Sequence, residues 1–437
     1  MTRTANHAPE TGTPGTRLRS RTRGSGVPVR HGRLKARSPR AAVLKLIGAT
    51  IAVVMVSGAG VAAYAVVDTV SAIKPGIHLV AAPGHSAPPA APAISAESGA
   101  VNVLLTGTDT RTGQGGAFST AQELAGSSGV GNNDVTMVLH ISADHRSATV
   151  VSIPRDLIAP IPDCPGTNGG TVQATDAGMF GSTLSRGGLS CVVLTAEALT
   201  GLSIPYAAEI SFDGVIGMSN AVGGVSVCLA TPVTDPYVGL DLPAGQQTLV
   251  GAQALAFVRS RHGIGDGSDL GRISNQQLFL SALLRKITSA GVLSNPITLF
   301  SLAKTAVSNM QLSDTLTNPT TMVAIALALK GISLNNIVFL QYPTGTDPQN
   351  NNRVVPATDG VTALKAALAA DQPVQLTGGT GVAAEATPST TAVPSNVPPS
   401  TTPTPATSTQ APSPTAVALP PTVTGQTAAE QTCTKGS

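Results

Sequence analysis

The sequence has no tryptophan, and aromatic residues fill only 3% of its 437 positions. Any core must therefore be built from aliphatic residues and alanine. Charge is equally scarce. Asp, Glu, Lys and Arg make up 11% of the chain, against roughly 25% in ordinary soluble domains. None of the four cysteines (Cys164, Cys191, Cys228, Cys433) has C-x-x-C spacing, which argues against a zinc cluster. They fit an exported chain with one or two disulfides. No G-x-S-x-G nucleophile element is present, and Gly113-Gln114-Gly115-Gly116 lacks the Lys-Ser/Thr of a phosphate-binding loop.

The charge that is present is unevenly placed. Residues 1–45 carry eleven Lys/Arg and one acid, whereas residues 46–437 carry fifteen Lys/Arg and twenty-two acids. The basic arm shows no helical period, so it reads as a disordered segment attracted to anionic lipid rather than to nucleic acid. Leu46–Val67 then runs 22 residues without a charge. As a helix it would reach about 33 Å, enough to cross a bilayer core. The positive-inside rule puts the N-terminus in the cytoplasm and the rest outside. A cleaved signal peptide ending near Ala63-Tyr64-Ala65 is the rival reading, and it exports the rest equally well.

The expected organisation is a cytoplasmic basic arm over 1–45, a transmembrane helix over 46–67, and a Pro/Ala-rich linker over 68–98. One extracytoplasmic domain follows over 99–377, then a Pro/Thr/Ser-rich disordered tail over 378–437. Within the domain, 101–108, 135–142 and 147–153 read as strands. Further strands are expected at 206–210, 225–229 and 336–342. Helices are expected near 188–200, 212–222, 250–258, 319–330 and 359–371, with a long one starting near Leu270. The fold class is α/β, a mixed central sheet flanked by helices. Pairing Cys164 with Cys191 would close a Gly/Thr-rich excursion, while Cys433 sits in the tail as a free or intermolecular thiol.

Two clusters hold the residues with chemistry. The first comprises Asp109, Arg111, Asp134 and Arg155, all at predicted strand ends; the second comprises Arg259, Arg261, Asp269, Arg272 and Gln276. If the first three strands run antiparallel in turn, Asp109, Asp134 and Arg155 share one rim. Asp269 is a candidate N-cap for the long helix, and Arg272 and Gln276 share its face. Paired acids suit a hard cation such as Mg²⁺, and forked guanidinium groups suit phosphate oxygens. Together they read as a site for a metal-bridged diphosphate.

These motifs, VNVLLTGTDTR, NNDVTMVLHISADHRSATVVSIPRD and LDLPAGQQTLVGAQALAFVRSRHGIGDGSDLGRISNQQ, resemble the LytR-CpsA-Psr family of membrane-anchored cell-envelope proteins. The resemblance covers residues 99–290 and extends more loosely to 355. It implies transfer of a glycopolymer from a polyprenyl-diphosphate carrier to peptidoglycan, on an α/β fold with an apolar tunnel for the prenyl chain. It also implies that Asp109 and Asp134 hold Mg²⁺ (or Mn²⁺). Arg111, Arg155, Arg259, Arg261, Arg272 and Gln276 would then contact the diphosphate. Asn132 and Asn275 depart from the family pattern, standing where it usually has arginine. Hydrolysis of the diphosphate and a non-catalytic wall-binding anchor are the alternative functions.

Overall fold

The computed structural model describes residues 71, 73–80, 99–112, 120–125, 131–166, 169–288, 296–386 and 416–437. The expected transmembrane helix and basic arm lie outside these residues, and no helix among the described residues is long and apolar enough to cross a membrane.

Three strands start the domain: β1 (Val101–Thr108), β2 (Asn133–Ile141) and β3 (Ala148–Ile153). They pair antiparallel in turn, as the short polar turn between β2 and β3 requires. A helix with a glycine kink at Gly187-Gly188, α1 (Thr183–Thr200), leads to β4 (Tyr206–Ile210). Next come α2 (Phe212–Ala221), β5 (Val225–Leu229), β6 (Gly245–Leu249) and α3 (Ala252–Arg259). The long α4 (Asp269–Thr288) is followed by α5 (Pro296–Asn309), β7 (Met310–Leu312) and α6 (Pro319–Lys330). The described elements then run through β8 (Ile337–Gln341), α7 (Thr358–Ala369), β9 (Ala384–Ala386), β10 (Gly425–Thr427) and β11 (Thr432–Thr434).

The central sheet has the order β7-β4-β1-β2-β3-β8-β10. It is mixed: β4 lies parallel to β1 and β8 parallel to β3, while the other neighbours are antiparallel. Alternation along the strands sorts side chains onto two covered faces. Leu104, Val138, Val151 and Leu340 pack with α1 and α7 on one face. Met137, Val150 and Phe339 pack with Val307 and Ala328 on the other. A smaller sheet, β6-β5-β11-β9, buries Val225, Val227 and Leu229 against Phe257 of α3 and Phe279 of α4.

Two expectations about the chain's margins are corrected. The proposed linker is not all spacer: Ile77 bridges Ser313, its N–H bonding the Leu312 carbonyl, so residues 73–80 dock onto the β7 end of the domain. The proposed disordered tail contains β10 and β11, and Cys433 is disulfide-bonded to Cys228 rather than free. Residues 416–437 have too few large apolar side chains to look foldable alone. They are ordered because existing sheet edges supply their hydrogen-bond partners: β10 lies along β8, and β11 lies between β5 and β9. The Cys164–Cys191 pair forms as expected.

Candidate active site

The site starts at a local irregularity. Gly107 pairs with Val135 and Thr108 pairs with Asn133, which leaves Asp134 as an extra residue in β2. Such a bulge re-aims a side chain at the end of a ladder. Asn133, fully buried, holds the bulge in place. Its amide donates to the Phe180 carbonyl at 3.1 Å, and its Oδ1 accepts from the Thr183 hydroxyl and the Leu184 N–H at the start of α1.

Asp134 turns to two arginines. Its Oδ1 accepts from Arg155 Nη1 at 2.5 Å. Arg272 Nη2 donates to the Asp134 backbone carbonyl at 2.7 Å, with Arg272 Nη1 3.8 Å from Asp134 Oδ2. Arg155 comes from the residues just past β3, as the antiparallel order required. Arg272 comes from the first turn of α4. Asp269 is not the cap of that helix but its first residue; Ser268 is the cap, its Oγ accepting from the Gly271 N–H at 3.1 Å. Released from capping, the Asp269 carboxylate pairs with Arg272 at 2.5 Å and lies 3.7 Å from Arg155.

Two residues that the motif reading did not place in the site complete the network. Asp156 accepts from Arg353 Nη1 at 2.5 Å and lies 3.8 Å from both Arg155 and Arg261. The signal for Asp156 was its place directly after Arg155. Arg353 belongs to a hairpin (344–347 with 350–356), and nothing in sequence spacing ties it to residue 156.

Arg261 sits in the turn after α3, fixed by Asp235. That carboxylate accepts from the Ser260 hydroxyl at 2.7 Å and from the Arg261 and Gly263 N–H groups. A side chain at Gly263 would come within 2.7 Å of the Thr234 carbonyl, so only glycine allows this close approach. The C-terminal residues brace the same turn. Gly265 N–H bonds the Lys435 carbonyl, and Ser437 bonds the carbonyls of Gly263 and His262.

The electrostatics follow from this crowding. Arg155, Arg261, Arg272 and Arg353 face Asp134, Asp156 and Asp269, so cations outnumber acids. Burial, together with the like charges of Arg155 and Arg272, pulls the Arg261 pKa below the ordinary arginine value. Burial also works against the charge on Arg155, but Asp134, Asp269 and Asp156 outweigh it and raise its pKa. Asp269 is pushed up by burial, with Arg272 the chief opposing influence. The Nε groups of Arg155, Arg261 and Arg272 are buried without a hydrogen-bond acceptor. Unmet donors beside an excess of positive charge suit an incoming anion.

A cavity of about 170 Å³ opens at this network. Its wall near the arginines includes Asp134, Arg259, Arg272 and Gln276; beyond them it is apolar, with Leu105, Val215, Phe279 and Leu283 among its lining. It runs between the rim of the central sheet and α2, α3 and α4. Arg259 lies over the Phe212 ring at 4.2 Å. Gln276 donates to the Val258 carbonyl at 2.9 Å, which leaves its amide oxygen for other partners.

Asp109 follows β1 at the same end of the sheet. Its carboxylate accepts from the Asn132 N–H at 2.7 Å and from the Asn132 amide at 3.3 Å. Arg111, partly buried, lies two residues further on. Asn132 thus belongs to the rim. Asn275 does not: it is fully buried, donating to the Phe257 carbonyl and accepting from Thr434 of β11. An arginine could not replace it there without displacing the C-terminal strand. Among the described residues no group of three or more His, Cys, Asp and Glu side chains is assembled to hold a metal. Asp109 and Asp134 are two carboxylates at one end of the sheet, the first bonded to Asn132 and the second to Arg155; oxygen donors of this kind suit a hard cation that keeps water and phosphate oxygens in its shell.

A two-faced mixed sheet, with an apolar cavity that ends at a cluster of arginines and acids, defines an α/β protein with a mixed apolar and charged pocket. The chain belongs to the LytR_cpsA_psr family, whose model matches residues 80–370. It is 32% identical over 268 residues to the cell wall biosynthesis protein LcpA of Corynebacterium glutamicum, covering 57% of this chain and 51% of that protein. It is 32% identical over 193 residues to the polyisoprenyl-teichoic acid–peptidoglycan teichoic acid transferase TagU of Oceanobacillus iheyensis, covering 44% of this chain and 53% of that one. The chain thus spans about half the length of these relatives. The fold is that of the crystal structure of protein gbs0355 from Streptococcus agalactiae, with a TM-score of 0.50 and 21% identity over 62% of this chain and 88% of the other.

Proposed function

We propose that this protein transfers a glycopolymer, as its glycosyl phosphate, from a polyprenyl diphosphate to a hydroxyl of peptidoglycan. The observation that carries this reading is the apolar cavity ending at Asp134, Arg259 and Arg272, with Arg155 bonded to Asp134 behind that wall. A prenyl chain would fill the cavity and place its diphosphate against the arginines. The relative named for transfer of teichoic acid to peptidoglycan supports the same reading.

In the reaction, the acceptor hydroxyl oxygen bonds the phosphorus that carries the glycan. The bond from that phosphorus to the bridging oxygen breaks, and the prenyl monophosphate leaves with the hydroxyl proton. Arg155, Arg261 and Arg272 would stabilise the charge that grows on the departing phosphate. Arg259 and Gln276 would hold the head group at the cavity mouth. Asp109 and Asp134 would hold Mg²⁺, which when bound neutralises diphosphate charge. Arg111 would add a cation at that end. The reaction would take place outside the cell membrane, with residues 46–67 as the anchor and the N-terminus cytoplasmic.

The test gives the full-length protein in detergent micelles a lipid-diphosphate-linked oligosaccharide, Mg²⁺ and peptidoglycan fragments. Coupled product is expected, with Asp134→Ala and Arg155→Ala each losing about a hundredfold or more in rate. Release of sugar phosphate without coupling would make the protein a hydrolase. Wall binding without turnover would make it an anchor.

A further inference from the structure

A second cavity lies against the same network. It measures about 600 Å³ and is polar, within the roughly 300–1,000 Å³ common for ligand sites. Arg155, Asp156, Arg261 and Asp269 form its inner wall; Asn351 and Arg353 of the 344–356 hairpin form another. The apolar cavity touches Asp134 and Arg272, and the polar one touches Arg155 and Asp269. The pairs Arg155–Asp134 and Arg272–Asp269 are therefore the partition between the two spaces.

We infer that the polar cleft is the binding site for the acceptor saccharide, a hydroxyl-rich amino-sugar glycan. The inference rests on the proposed transfer, and in-line geometry carries it. Phosphoryl displacement places the attacking and leaving oxygens on opposite sides of phosphorus. If the leaving prenyl phosphate occupies the apolar cavity, the attacking hydroxyl must come from across the partition, where the polar cleft lies.

The construction of the cleft suits that ligand. Asn350, Asn351 and Asn352 are exposed, and an asparagine amide both donates and accepts, matching sugar hydroxyls and N-acetyl groups. The hairpin carrying them is held in place. Arg353 bonds Asp156, the Val354 N–H bonds the Asp156 carbonyl at 3.2 Å, and Leu157 bridges Val354. One carboxylate, Asp156, thus ties the acceptor wall to the diphosphate arginines.

The test measures separate KM values for a lipid-linked donor and for soluble peptidoglycan glycan fragments, using the full-length protein in micelles. Asn351→Ala is expected to raise the acceptor KM about fivefold or more while the donor KM stays at the wild-type value. Because the chain has no tryptophan, Thr346→Trp at the cleft wall adds a single fluorophore. Glycan fragments alone should shift its emission. A change in donor KM instead would assign the cleft to the donor's own glycan and overturn the inference. Unchanged acceptor KM together with silent fluorescence would overturn it too. A wild-type protein that never cleaves the donor would refute the proposed function instead, a separate outcome.

Discussion

Removing the Cys228–Cys433 bridge tests whether the C-terminal segment is a working part of the domain. The bridge spans 205 residues, against 27 for Cys164–Cys191. In the chain-entropy account the longer loop is worth about 5 kcal/mol and the shorter about 3.5 kcal/mol. Replacing Cys228 and Cys433 together by alanine should therefore destabilise the protein more than replacing Cys164 and Cys191. At roughly 2–4 °C per kcal/mol, the melting temperature should fall by about 10–20 °C. The structural consequence is equally specific. β10 would lose its tether to the β8 edge, and β11 would lose its place between β5 and β9. Hydrogen exchange should then speed up at Ala428 and Gln341, whose N–H groups bond across the β8–β10 seam. Transfer activity should drop as well, because residues 435–437 brace the turn that carries Arg261. The measurements are thermal melts and exchange mass spectrometry on the full-length protein, both double variants beside wild type. A loss below about 1 kcal/mol for the 228/433 pair, or a smaller loss than for 164/191, would refute the reasoning.

Asp235 offers a pH-dependent test. Burial alone would raise its pKa, but hydrogen bonds from Ser260, Arg261, Gly263 and Tyr237 outweigh burial and lower it. Its contribution to stability is therefore fully present above the ordinary aspartate value and lost as pH falls through the lowered one. Asp235→Asn should flatten the acid limb of stability in denaturant melts; an unchanged limb would count against this anchoring role. Val215→Trp should fill the apolar cavity and raise the KM for long-chain donors about tenfold, sparing donors with short prenyl chains. Equal KM values for both chain lengths would remove the lipid from this cavity. Chelation with EDTA should abolish transfer, with Mg²⁺ restoring it. Activity that persists in EDTA would leave Asp109 and Asp134 with another role.

Much of the architecture was legible in the sequence. The strands expected at 101–108 and 206–210 form at those bounds, because short runs dominated by Val, Leu, Tyr and Ala between turn residues mark a strand covered on both faces. The rim placement of Asp134 and Arg155 was legible too, since a short turn between two strands forces an antiparallel pair. Asp269 was legible as a helix start but misjudged by one position. Ser268 took the cap because its side chain reaches the Gly271 N–H. The helix over 296–309 was not anticipated, nor was the hairpin that carries Arg353. The hairpin's strands are rich in asparagine, threonine and glycine, and their pairing depends on docking beside Asp156.

By itself the sequence determined the chemical inventory: scarce charge concentrated at strand and helix ends, an apolar interior built without tryptophan, and cysteines suited to export. Those properties are local, written in residue type and period. Only the tertiary structure decided which charges meet. Asp156 and Arg353 stand 197 residues apart yet bond directly, and Asn275 proved a partner of the C-terminal strand rather than a missing arginine of the site. The physical reason is that ion pairs and edge-strand pairing carry no sequence period. They depend on which surfaces the folded sheet leaves open, and β8 and β5 left edges that an unremarkable tail could fill.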